Sequence, residues 1–111
     1  MTVEEVLASV VERFNRHAAR TPAVAEELNG LHRTIQVRIT DGLSYAVDLS
    51  EGRLVNLRSG PVERADVTIT TDSRTFDALV KKEIGPMKAL VTRKLALEGS
   101  LEDKLLFRKL L

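Results

Sequence analysis

Between residues 35 and 49 the chain alternates apolar and polar side chains, and this two-residue period limits what can be built around it. Ile35, Val37 and Ile39 alternate with Gln36, Arg38 and Thr40, and after Asp41-Gly42 the residues Leu43, Tyr45, Val47 and Leu49 alternate with Ser44, Ala46 and Asp48. Successive side chains of a strand point to opposite faces, so each stretch reads as a strand with one face to bury. Asp-Gly between them predicts a two-residue hairpin, because both positions tolerate positive φ. Ser50-Glu51-Gly52 predicts a second turn and Arg53–Arg58 a third strand. After the Gly60-Pro61 break, Asp66–Thr71 predicts a fourth, with Val67 and Ile69 facing inward.

On both sides of this block the apolar period lengthens to that of a helix. Val3, Val6, Leu7, Val10, Val11, Phe14 and Ala18 fall at steps of three and four, which predicts an amphipathic helix over residues 2–18. Thr2 followed by Glu5 fits a capping box. Thr21 as N-cap, Pro22 in the first turn and Gly30 as the stop predict a second, short helix. Downstream, Asp72 or Ser73 caps a helix carrying Phe76, Leu79 and Val80, and Gly85-Pro86 ends it and opens another with Met87, Leu90 and Val91. Lys94–Glu98 is a short strand with Leu95 and Leu97 inward, and Ser100 with Asp103 caps a last helix running to Leu111. The order α-α-β-β-β-β-α-α-β-α predicts an α+β fold, a largely antiparallel mixed sheet with helices covering one face. A ligand cavity in such a layout lies between the apolar face of the sheet and the helical layer.

The 111 residues suit one domain with one core, assigned to residues 1–111. The formal net charge of +1 excludes a strong field toward nucleic acid. Lys81, Lys82, Lys88, Arg93 and Lys94 are clustered, but single-strand recognition adds exposed aromatic rings. Only Phe14, Tyr45, Phe76 and Phe107 are available, and the first three fit apolar faces. Charge is nonetheless uneven. Residues 1–73 hold 8 arginines and no lysine against 11 acids, a net of −3, while residues 74–111 hold 9 basic residues against 5 acids, a net of +4. This asymmetry suits a solvated helical surface, or transient attraction of the C-terminal part to a membrane surface of anionic head groups.

The inventory of reactive side chains is short. Without cysteine there is no disulfide, thiolate nucleophile or Cys-based zinc site. His17 and His32 are the two imidazoles; neither has a neighbour at a triad-like spacing, and the pair has no metal-ligand spacing. The six glycines sit singly at element boundaries, so no phosphate-cradling loop is present. No catalytic residue, metal or cofactor is expected, and the acidic start without a long apolar run predicts a cytoplasmic protein. The last helix is unusual, because Leu101, Leu105, Leu106, Phe107, Leu110 and Leu111 spread around its wheel. Such a helix either wedges its end into the core with a frayed, partly exposed tip, or turns its extra apolar side to a lipid chain, a second subunit or a larger protein such as a partner enzyme.

From the fourth strand onward the sequence resembles the sterol carrier protein 2 (SCP2) lipid-binding domain. The resemblance is carried by Ala65-Asp66-Val67-Thr68-Ile69-Thr70, the helix Thr75-Phe76-Asp77-Ala78-Leu79-Val80, the helix start Gly85-Pro86-Met87-Lys88-Ala89, and Lys94-Leu95-Ala96-Leu97-Glu98-Gly99-Ser100. Two glycines usual in that family are absent: one is Arg93 here, the other is replaced around Lys81-Lys82. The resemblance implies a five-stranded sheet and an apolar tunnel for a fatty acyl chain, acyl-CoA or a sterol- or isoprenoid-like lipid. It places Phe76, Val80, Met87, Leu90, Val91, Leu105 and Leu106 around that cavity, with Val47 and Leu49 as its sheet floor. The competing expectation is an interaction or dimerisation module that uses the apolar last helix.

Overall fold

The computed structural model describes the backbone of residues 2–110 and the side chains of residues 2–106. The elements follow the expected order: α1 (Val3–Arg20), α2 (Pro22–Glu27), β1 (His32–Ile39), β2 (Ser44–Ser50), β3 (Arg53–Ser59), β4 (Val67–Thr71), α3 (Ser73–Val80), α4 (Pro86–Val91), β5 (Leu95–Gly99) and α5 (Leu101–Leu110). The five strands form one mixed sheet in the order β3-β2-β1-β4-β5. Only β1 and β4 run parallel; the β1–β2, β2–β3 and β4–β5 pairs are antiparallel.

Register decides which side chains share a face. Ile35 lies opposite Val47 and Val67, and Val37 opposite Tyr45 and Ile69, so one face collects the apolar residues of three strands. Leu97 of β5 opposite Ile69 extends that face to the far edge. Helices cover it: α1 lies over β3 with α2 and α3 beside it, and α4 and α5 pack on β5. The core is a cluster of Leu7, Leu28, Ile35, Val37, Ile39, Tyr45, Val47, Leu49 and Val67, all at least nine-tenths buried. Removing each from water stabilises the fold by roughly 1.5–3 kcal/mol before conformational entropy is subtracted.

Two features of the sheet depart from simple alternation. Asp41-Gly42 does not form the two-residue hairpin: strand pairing stops at Arg38 and Ser44, and the Gly42 N–H donates to the Ile39 carbonyl within a four-residue loop. Leu43 therefore stands outside β2 and is 67% exposed. The Asp41 carboxylate is used elsewhere, accepting from the Ser73 N–H at 2.8 Å and the Ser73 hydroxyl at 2.6 Å. These bonds tie the loop to the start of α3 and hold the Asp41 carboxyl below its ordinary pKa. The tight left-handed turn occurs at Glu51-Gly52, with φ of 51° and 78°.

The second departure concerns the face expected to be polar. Ala46 and Gln36 lie on it, directly opposite each other, yet both are buried. The connection from β3 to β4 has to cross β2 and β1, and residues 60–66 do so on this face. Val62 donates its N–H to Gln36 Oε1, and Asp66 bridges to Thr34 through both its own N–H and its carboxylate. Helices cover one face, and the centre of the other is roofed by this crossover.

Candidate lipid-binding groove

An open apolar groove of about 300 Å³ runs between α4 and α5 above the edge strand β5, lined by Met87, Leu90, Val91, Leu97, Leu101, Lys104 and Leu105. Local sequence explains each wall. Pro86 at the first position of α4 starts the helix without wasting an N–H. Met87, Leu90 and Val91, at steps of three and four, then face the groove while the fully buried Ala89 anchors the helix from behind. Leu97 forms the floor. Opposite α4, Ser100 caps α5 by accepting from the Asp103 N–H at 3.1 Å. Leu101 and Leu105, four residues apart, present one stripe of α5 to the groove.

The position of α5 is fixed by two further contacts. Asp103 accepts from Arg33 Nε at 2.8 Å, a link from β1 to α5 in which Asp103 is 7% exposed. This hydrogen bond raises the Arg33 pKa against the opposing effect of partial burial. At the end of β5, a Cβ on Gly99 would stand 2.8 Å from the Asp66 carbonyl, so β5 can approach β4 this closely only with glycine there.

The groove walls are dry in chemistry but wet in fact. Met87 is 48% exposed, Val91 77%, Leu101 75% and Leu105 55%. Four large apolar side chains lining one opening form the kind of patch that marks a binding surface.

Of the residues expected around the cavity, Met87, Leu90, Val91 and Leu105 come together here. Phe76 and Leu106 are half-buried and packed against the core, and Val80 is half-buried at the end of α3. Val47 and Leu49 lie in the core cluster on β2, three strands from β5 and therefore roughly 14 Å away across the sheet. Leu97, Leu101 and Lys104 line the groove and were not among the expected residues; the inward side of β5 and the helical spacing of Leu101 from Leu105 are the signals that carry them. The side chains of Phe107 and Leu110, together with Leu111, lie outside the described residues.

A second, polar concavity of about 300 Å³ opens on the opposite face, lined by His32, Arg33, Thr34, Asp48, Leu49, Ser50, Val55 and Asn56. Here His32 Nδ1 lies 3.1 Å from Ser50 Oγ, a pair that the β1–β2 register sets directly opposite and that spacing along the chain does not reveal. Asp48 directs its carboxylate to Asn56 and Arg58, at 3.3 Å each, so it completes no Ser-His-Asp relay with the His32–Ser50 pair. His17 is exposed on α1. Among the described residues no three His, Cys, Asp or Glu side chains are grouped to hold a metal, and no helix is long and apolar enough to cross a membrane.

The SCP-2 sterol transfer family matches over residues 12–111, and the chain belongs to that family. In solved structures the same fold recurs at low identity. The palmitated SCP2L2 of Aedes aegypti superposes with a TM-score of 0.66 at 21% identity, covering 99% of this chain and 94% of that one. The sterol carrier protein domain 2 of Helicoverpa armigera gives 0.65 at 16% identity, covering 99% and 89%. The stereoselective inverting sec-alkylsulfatase Pisa1 of Pseudomonas sp. gives 0.60 at 24% identity; 78% of this chain is covered, but only 14% of the sulfatase, so this chain matches a minor part of that enzyme. No curated protein matches by sequence. Family and fold support lipid binding of the sterol-carrier kind in general terms.

Proposed function

We propose that the protein binds a single apolar chain, a fatty acyl group in the first place, in the groove between α4, α5 and β5, and that binding rather than turnover is its role. The observation that carries this is the exposure of Met87, Val91, Leu101 and Leu105 around one opening floored by Leu97. The volume of about 300 Å³ sits at the lower end of ligand cavities, which suits one extended chain better than a fused-ring sterol. The palmitated state of the Aedes aegypti relative agrees with a chain of this kind. Lys104, on the groove wall, is placed to meet a carboxylate or other anionic head group.

Burial of each methylene contributes about 0.8 kcal/mol, so affinity rises about fourfold per methylene until the groove is full. Titration with fatty acids of increasing length measures this directly. A plateau at a defined length is the expected result, and the absence of saturable binding at every length defeats the proposal. The exposed Leu101 and Leu105 also suit the second function, a docking surface for another subunit or a partner enzyme. Sedimentation with and without fatty acid separates the two: a dimer that dissociates when the chain binds has been using the groove as its interface.

A further inference from the structure

Two residues on either side of α4 are held in a conformation that their side chains disfavour. Lys82, in the turn entering α4, and Arg93, in the turn leaving it, have φ of 61° and 63°. This left-handed region penalises any residue with a Cβ and is where glycine ordinarily stands. Each is the first residue past a helix C-cap, Lys82 after α3 and Arg93 after α4, where the chain turns off the helix and the next N–H closes back onto it, Glu83 to the Ala78 carbonyl and Lys94 to the Ala89 carbonyl. Both side chains are exposed, and neither forms an ion pair among the described residues. Lys88 and Lys94 are exposed on the same corner, and Lys104 stands on the groove wall. Of the acids on these segments, Asp77 is taken by Lys81 at 3.0 Å and Asp103 by Arg33, leaving Glu83, Glu98 and Glu102 against five cations.

Within this ring lie the exposed Met87, Val91, Leu101 and Leu105. Apolar side chains set among lysines and arginines are the composition of interfacial segments that sit in the head-group layer of anionic membranes. A second copy of the chain fits less well, since a two-fold contact through this corner brings like cations face to face. We propose that the α4–α5 corner docks the mouth of the groove onto an anionic lipid bilayer, with Lys82 and Arg93 held in left-handed turns to reach the head groups. That a chain then enters the groove from the leaflet rests on the acyl-chain function proposed above; the docking itself does not.

The left-handed turns supply the test, because glycine removes charge while fitting the backbone. Co-sedimentation with vesicles of phosphatidylcholine, alone or mixed with phosphatidylglycerol, is compared for the wild type, the Lys82→Gly/Arg93→Gly double variant and Val91→Ser. The wild type binds the mixed vesicles in preference to the neutral ones and releases them as salt is added. The double variant binds about thirtyfold more weakly, about fivefold for each cation near an anionic surface, while its thermal midpoint holds or rises. Val91→Ser, with charge unchanged, binds several-fold more weakly. Equal binding to neutral vesicles, a double variant that binds like the wild type, or a Val91→Ser variant without effect each overturns the proposal; the last result marks simple attraction of a polycation. Fatty-acid titration of the wild type without vesicles keeps the two ideas apart. Chain binding by a wild type that binds no vesicles overturns the docking and leaves the groove. Vesicle binding by a wild type that binds no chain does the reverse.

Discussion

Leu28 closes α2 and Leu101 opens α5; both are leucines at the end of a helix over the same sheet face, and they are 0% and 75% exposed. The contrast holds for the regions around them. Under α1 and α2 the side chains of β1 and β2 are sealed, and α1 is bound even to the edge strand. There the Asn15 amide both donates to the Leu54 carbonyl and accepts from its N–H, at 2.9 and 2.8 Å, in the manner of a neighbouring strand. Between α4 and α5 the same residue types leave a gap. On the function proposed above, stability and binding lie at opposite ends of one apolar surface, and substitutions should separate them.

The largest effect is expected from Leu28→Ala, which opens a cavity in the sealed half and costs about 2–5 kcal/mol in urea unfolding. Leu101→Ala should change stability by no more than about 0.5 kcal/mol and instead weaken fatty-acid binding. A large loss of stability from Leu101→Ala would break the comparison. Next comes Gly99→Ala, whose Cβ would meet the Asp66 carbonyl. The backbone shift this forces should cost roughly 1–3 kcal/mol and distort the groove together with the β4–β5 ladder. Asp103→Asn, which removes the charged partner of the partly exposed Arg33, is expected to cost about 1–2 kcal/mol and to loosen α5, measured by unfolding and by chain affinity together.

The smallest effect is a matter of pH. Asp41 has a folded pKa below its ordinary value, because the charged form accepts both bonds from Ser73. Its contribution is therefore complete above about pH 4 and is lost as pH falls through the lower folded value. Asp41→Asn should flatten the acid limb of the stability profile and leave the neutral region nearly parallel to wild type. An unchanged acid limb would show that the loop is tied to α3 by other means.

The order of elements was legible because each periodicity is local: the two-residue alternation of Ile35–Ile39 and the three-four spacing of Met87, Leu90 and Val91 need no knowledge of distant residues. The groove was legible to the extent that it is built from one side of α4 and from Leu105 of α5. What the sequence did not disclose depends on strand order. Val47 and Leu49 alternate as regularly as Leu95 and Leu97, and only the insertion of β4 between β1 and β5 sends the two pairs to different ends of the sheet. Ala46 and Gln36 escaped for a similar reason, since alternation reports that they face away from the helices and is silent about a crossover returning over them. Asp41-Gly42 read as a hairpin because dipeptide chemistry ignores Ser73, which lies far along the chain and takes the carboxylate.

The single parallel ladder, Ile35 with Val67 through Ile39 with Thr71, has a consequence for how the molecule comes together and apart. Strands β1 to β3 are joined by short turns and can zip in the order they are made, whereas β4 must find β1 after the longer crossover has closed. The segment after residue 66 is thus the late-assembling unit, and it is also the one that carries the groove. A cooperative unit that opens first should show the faster amide exchange, in β5 ahead of β2. A bound chain, touching α4, β5 and α5 at once, would slow exchange there while leaving β2 unchanged. On that account cargo acts as a clasp, and the carrier is most completely folded when it is loaded.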